Sequence, residues 1–350
     1  MKSLSSPFAL FFAALVLIAG SLSAAEPAPK PKARITPGKV VVPTGPGEMR
    51  RPWGELVSMD LATRTGTFRR DGSDEIIKFT VMPYSELLHH ATFGDLQDFR
   101  IGERAIFRLH ENEAGEWNQL TYIQDEMNFL KNHGERYQVD AIDAATGTWT
   151  VTQGNWDDPK LKEPFIRTKG IVIKTDADTR YWKQGTSAKF ADVQVGDRIR
   201  TKTRGIGKGS DRVCWEVFLD DERLLKFQAE QKAVHAARLA EIGVPGYIDD
   251  AKAIGAEDTA GNSDFSLKLD LTLFQEGGEV VRALKKGQKV RVALCGVDRK
   301  PTGKTADGVI AEVKMLGNLG KLAVAFSDPK AGAIVPEIQV GGLARVQPLK

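Results

Sequence analysis

Arg198, Arg200, Lys202 and Arg204 alternate with Ile199, Thr201 and Thr203. Successive side chains of a β-strand point to opposite faces, so this spacing predicts a strand with one cationic face. Such a face attracts an anionic ligand through its summed field. Upstream, Tyr181, Trp182 and Lys183 offer rings for stacking, the combination with which open barrel faces hold anionic chains. Arg198, Arg200, Lys202, Arg204, Tyr181 and Trp182 are therefore the candidate ligand-binding residues. The plainer alternative is a solvated strand face balanced by nearby carboxylates, because charged side chains are mostly exposed in folded proteins.

Other chemistry is sparser. His89-His90 is the sole histidine pair, and imidazoles bind Zn or Cu, with Met82 or Asp95 as further donors. Adjacent side chains diverge in most backbone conformations, and no H-x-x-x-H spacing occurs, so neither a metal site nor a cofactor is expected. The Gly205-Ile-Gly-Lys-Gly209 segment resembles a phosphate loop in composition, but the stretch after it reads as a strand. A phosphate loop needs the N-terminus of a helix there. No G-x-S-x-G, H-E-x-x-H or Cys–His arrangement is present, so no catalytic residue is assigned. Binding is favoured over catalysis. A metal-handling protein and an enzyme with an unrecognised site are the competing classes.

The elements that would position these residues repeat. Phe99-Arg-Ile-Gly102-Glu-Arg, Val193-Gln-Val-Gly196-Asp-Arg and Leu284-Lys-Lys-Gly287-Gln-Lys share one phrase, and self-similarity at module spacing predicts duplicated small domains. Alternating apolar residues and glycine turns predict five or so short strands per unit, with a helical element near 87–99 in the first. The division expected is a Pro/Lys-rich linker at 26–50, barrel module 1 at 51–124, a short helical connector at 125–133 and module 2 at 134–219. A connecting helix follows at 220–242, its face formed by Leu224, Phe227, Gln231, Val234, Leu239 and Ile242, and a divergent module 3 occupies 243–350. In the tail of that module, 333–340 and 344–349 read as strands. The fold class is mainly β: tandem small OB-like barrels joined by helices, with SH3-like barrels as the alternative.

Within module 1, Gly54-x-Leu-Val-x-Met-Asp60, Thr-Gly66-Thr-Phe, Phe79-Thr-Val and the closing Trp117 strand resemble the small OB-like barrels of bacterial exported proteins. These include the periplasmic copper-binding chaperone of copper-efflux systems and related domains of unknown function. The resemblance implies the barrel fold; in the copper family a His, two Met and a Trp bind Cu(I). Here the matching stretch is Val81-Met82-Pro83-Tyr84, with one methionine, so the copper ligand motif is not carried over.

Lys2, the apolar run 8–22 and Ser23-Ala24-Ala25 predict a cleaved signal peptide at 1–25, hence a periplasmic or extracellular protein without a transmembrane segment after cleavage. Export also sets nucleic acid aside as a partner and points to envelope polysaccharide or protein, with the ligand's identity open. The chain has 41% hydrophobic and 27% charged residues, the composition of a globular protein. Its net charge of +3 argues against polyanion binding by the whole surface, though not by a local strip. Cys214 and Cys295 lie in different modules within apolar strands and are read as two separate buried thiols.

Overall fold

The computed structural model describes residues 34–35, 38–39, 49–204, 212–254 and 265–349. The signal-peptide expectation and the glycine loop at 205–209 lie outside them. Within the stretch expected to be a linker lie three two-residue strands, two of which pair with barrel strands. β1 (Arg34–Ile35) adds to the third barrel, β2 (Gly38–Lys39) runs parallel to a short strand near the C-terminus, and β3 (Met49–Arg50) adds to the first.

The first barrel is built from β4 (Trp53–Asp60), β5 (Thr65–Arg70), β6 (Ile76–His89), β7 (Thr92–Phe93), β8 (Arg104–Glu111) and β9 (Trp117–Asp125). It closes in the order β4-β5-β6-β9-β8-β4, with β6 and β9 parallel and the other pairs antiparallel. This five-strand closure is the OB-like alternative. Phe68, Phe79 and Phe107 fill its centre, Phe68 and Phe107 stacked at 3.9 Å. The helix expected near 87–99 is instead the end of β6, the β6–β7 hairpin and one 3-10 turn, Leu96–Asp98. Alternating burial carries the strand through Leu87 to His89, and Asp95 and Asp98 cap the turn.

After α1 (Glu126–Asn132), the second barrel repeats the plan with β10 (Arg136–Asp143), β11 (Thr148–Asn155), β12 (Phe165–Lys174), β13 (Arg180–Lys183), β14 (Thr186–Ala188), β15 (Arg198–Arg204) and β16 (Arg212–Phe218). Its closure is β10-β11-β12-β16-β15-β10, again with the third and last long strands parallel. β13 and β14 stand where the end of β6 and β7 stand in the first barrel, and a 3-10 turn at Phe190–Asp192 follows.

α2 (Glu222–Ile242) then leads to β17 (Val244–Ile254), β18 (Ser266–Leu273), α3 (Gly278–Ala283), β19 (Lys289–Cys295), β20 (Pro301–Leu316), β21 (Leu319–Phe326), β22 (Gln339–Val340) and β23 (Leu343–Pro348). The buried side of α2 is Leu224, Gln231, His235 and Leu239, whereas Val234 is exposed. The third barrel is not a third copy of the first two. Six strands close in the order β17-β18-β21-β20-β19-β23-β17, all antiparallel. Exchanging β17 with β20, β18 with β21 and β19 with β23 reproduces every pairing, so the barrel has an internal two-fold. The tail segment 333–340 is largely a 3-10 helix, Pro329–Glu337, started by an Asp328 cap, with β22 after it.

The repeated glycine phrase has one physical meaning throughout. Gly102 donates its N–H to Leu56 O at 2.7 Å, and Glu103 O receives Leu56 N–H at 2.9 Å. Gly196 does the same with Val139, and Gly287 with Ile310. Gly341 repeats it with Ile248, a fourth copy in Ile338-Gln-Val-Gly341 that the sequence reading missed. Each glycine has φ between 83° and 94°, a region in which a Cβ is strained. The residue each one grips lies beside a register shift in its strand. The phrase therefore encodes a turn docked on a β-bulge, used once in each OB-like barrel and twice in the symmetric one.

Candidate functional site

The basic strand forms as β15, but its cations do not make a solvent-facing ridge. Arg200 and Lys202 are each only 6% exposed. Arg200 Nε donates to Asp221 Oδ1 at 2.9 Å, and its Nη1 donates to the carbonyls of Leu130 and Glu135. Lys202 Nζ pairs with Glu103 and lies 3.2 Å from Asp125 Oδ2. Arg204 is part-buried and pairs with Asp176, while Arg198 alone is exposed, 3.2 Å from Asp157. Tyr181 packs inside the second barrel against Trp149, and Trp182 turns to α2, beneath Arg223 and edge-on to Phe227. The expected stacking surface is core and helix packing.

The anionic partner of this strand is the first barrel itself. Glu103, which follows Gly102, and Asp125 and Glu126, at the start of α1, face β15 across the junction. Glu126 accepts from both the backbone N–H and the hydroxyl of Thr203 and pairs with Arg104, whose Nε donates to Asp71 at 2.7 Å. The Asp125 side chain also caps α1 by accepting from Asn128 N–H. None of these acids was singled out from sequence. The usable signals were an acid after the repeated glycine, as in Gly196-Asp197, and the adjacent acids at 125–126.

His89 and His90 do not diverge as expected. His90 and Ala91 take left-handed backbone, φ 49° and 61°, and the two imidazoles stack at 3.9 Å between ring centres. His89 Nδ1 lies 3.0 Å from Gln231 Oε1 on α2, and its Nε2 lies 3.3 Å from Glu103 without an aligned hydrogen bond. His89, His90 and Asp125 each place one donor atom within 4.8 Å of the others, a set that could hold a metal ion. The Lys202 ammonium stands among them, 3.4 Å from His90 Nε2, so the place of a cation is taken by the chain's own. The set fits a metal only with Lys202 withdrawn.

The environment drives the two histidines apart. Burial alone would pull His89 down, but the Glu103 carboxylate outweighs it and raises the pKa above the ordinary value. Burial, Lys202 and His89 together hold His90 far below its ordinary value. Burial opposes the ionisation of Glu103, yet Lys202 and His89 keep its pKa well below the carboxylate norm. These groups form a buried ionic junction between the first and second barrels.

The open basic surface lies elsewhere. A groove of about 780 Å³ on the first barrel is lined by Arg50, Arg51, Arg70, Lys78, Glu75, Glu116, Ile76 and Trp117. It sits between the β5–β6 hairpin and the β8–β9 loop, the second-to-third-strand face and last loop with which OB barrels hold oligomeric ligands. Arg50 lies over the Trp117 ring at 4.1 Å, a cation–π pair that leaves an amphipathic wall. Arg70 pairs with Glu75 at 3.2 Å, while Arg50, Arg51 and Lys78 are exposed without a carboxylate partner among the described residues.

No protein-family model and no curated protein matches the chain. Among solved structures, a Drosophila chain titled "drosophila Unr CSD456", a cold-shock-domain protein, is similar with 9% identity and a TM-score of 0.18. The match covers 64% of this chain and 90% of that one. The expectation that set nucleic acid aside is corrected against that finding, and nucleic acid stands among the ligands to be tested. No helix among the described residues is long and apolar enough to cross a membrane.

Proposed function

We propose that this chain is an exported, non-enzymatic binding or scaffold protein of the bacterial envelope, and that the groove of its first barrel holds an acidic polysaccharide. The observation that carries the reading is the pairing of an aromatic wall with cations that have no carboxylate partner among the described residues. Arg51 and Lys78 supply charge for carboxylates or sulfates along the chain, and Trp117, with Arg50 above it, supplies a face for a sugar ring. The second and third barrels serve as scaffold, tied to the first by α2 and the ionic junction.

The test is a titration with a polyuronate and with single-stranded DNA at several salt concentrations, read by tryptophan fluorescence. The expected result is polyuronate binding that weakens as salt screens the exposed cations. An Arg51→Gln/Lys78→Gln variant should lose most of the affinity and retain its circular dichroism. Absence of binding at low salt, or equal binding by the variant, would remove the reading. Tighter binding of the DNA would replace the polysaccharide with nucleic acid.

A further inference from the structure

A second cavity, of about 650 Å³, opens where the first barrel, α2 and the third barrel meet. Arg64, Arg299 and Arg345 line it and are almost wholly buried, at 3%, 1% and 3% exposure. Arg64 closes the β4–β5 turn, Arg299 belongs to the turn before β20, and Arg345 comes from β23. Arg64 and Arg299 both hold left-handed backbone, with φ 53° and 63°. That conformation is costly for a residue with a Cβ and persists where the surrounding structure enforces it. Two unrelated turns thus place a strained arginine in the wall of one cavity.

Arg64 Nη1 donates to Asp95 Oδ1 at 2.8 Å, and Arg299 Nη2 donates to Glu276. Arg345 spends two donors on the carbonyls of Arg299 and Gly243. Three guanidiniums therefore face two carboxylates. Nearby, Arg238 is neutralised by Asp98 at 2.7 Å, and Asp298, Lys300 and Glu241 complete the charged wall. Arg64 Nε and Nη2 and Arg299 Nε and Nη1 are buried with no acceptor among the described residues. Buried donors are normally satisfied, so four orphaned guanidinium nitrogens at one cavity call for an acceptor. Burial, and then the neighbouring Arg299, pull Arg345 down to about 10.

We propose that this cavity binds a small oxyanion, a phosphate or carboxylate group, which bridges Arg64 and Arg299 and ties the first barrel to the third. Arginine's planar fork suits both anions. The site is independent of the first-barrel groove and does not rest on the polysaccharide reading.

The test is calorimetry of the full chain with inorganic phosphate and, separately, succinate, at ionic strength held constant with chloride. Saturable one-to-one binding of either probe is expected, accompanied by a higher melting temperature. Saturation by one probe alone assigns the anion class. Arg64→Gln and Arg299→Gln should each weaken binding roughly tenfold or more. The groove variant Arg51→Gln/Lys78→Gln should bind as the parent does, so failure here and failure of the groove are told apart. If Arg299→Gln does not fold, Arg64→Lys decides, since it keeps the charge and removes the fork. No saturable heat with either probe, or undiminished binding by folded Arg64 variants, would overturn the proposal.

Discussion

Replacing Lys202 with Met tests the ionic junction most sharply. The Lys202 side chain is 7% exposed and faces Glu103 at 1% and Asp125 at 0%. Met has a similar length and fills the same space, so the change removes charge with little loss of packing. It strands two buried carboxylates without their cation, and breaking a buried pair from one side costs about 3–5 kcal/mol. With a denaturant slope of about 2–3 kcal/mol per molar urea, the midpoint should fall by roughly 1–2.5 M. The assay is urea unfolding followed by tryptophan fluorescence and circular dichroism, with Arg198→Met as the exposed control. A surface charge change shifts stability by less than about 0.5 kcal/mol. The pH dependence has a definite sign. The folded pKa of Glu103 is depressed, so its contribution is present above the ordinary value and lost as pH falls through the folded one. In Lys202→Met that acid-side loss should largely vanish. An unfolding midpoint unchanged from the parent, or equal effects at 198 and 202, would refute a buried junction.

Four further outcomes follow from the geometry. The depressed pKa of His90 makes it stabilising above its ordinary value near 6.5 and destabilising as pH falls below it, so His90→Asn should flatten stability against pH from 6.5 downward in calorimetric melts. His89 has the opposite sign, its contribution being full below 6.5 and lost as pH rises through its raised value, so His89→Asn should remove a loss on the alkaline side. Gly341→Ala, at φ 86°, should cost about 1–2 kcal/mol, as should Gly102→Ala, and an unaffected melting temperature would deny that both turns are one motif. Burial pushes the Cys295 thiol up to about 11, so iodoacetamide labelling followed by mass spectrometry at pH 8 should be slow in the folded chain and fast in urea.

What was legible in the sequence was what neighbours in sequence decide. Alternation at 198–204 gave a strand because strand periodicity is local, and the Asp221–Glu222 start with Gly243 after it framed α2. The destination of the strand's cations was not legible. Lys202 meets Glu103 from 99 residues away and Thr203 meets Glu126 from 77, so only closure of both barrels brings them together. The histidine pair misled because two left-handed residues, His90 and Ala91, reverse the strand where side-chain type gives no warning. The third phrase misled differently. It specifies a turn on a bulge, and such a turn serves two barrel topologies. Gly246-Tyr-Ile248 and Gly308-Val-Ile310 mark the two halves of the third barrel, and that short internal echo was the overlooked signal.

The central claim is that the cations of β15 are internal while those of the first-barrel groove are open to a ligand. One lysine-acylation footprint by mass spectrometry, on the folded chain with and without a polyuronate, reads both halves at once. Lys78 should acylate rapidly and become protected by the polyuronate, while Lys202 should stay unmodified until the chain unfolds. Labelling of Lys202 as fast as Lys78, or polyuronate protection at Lys202 and not at Lys78, would contradict the claim.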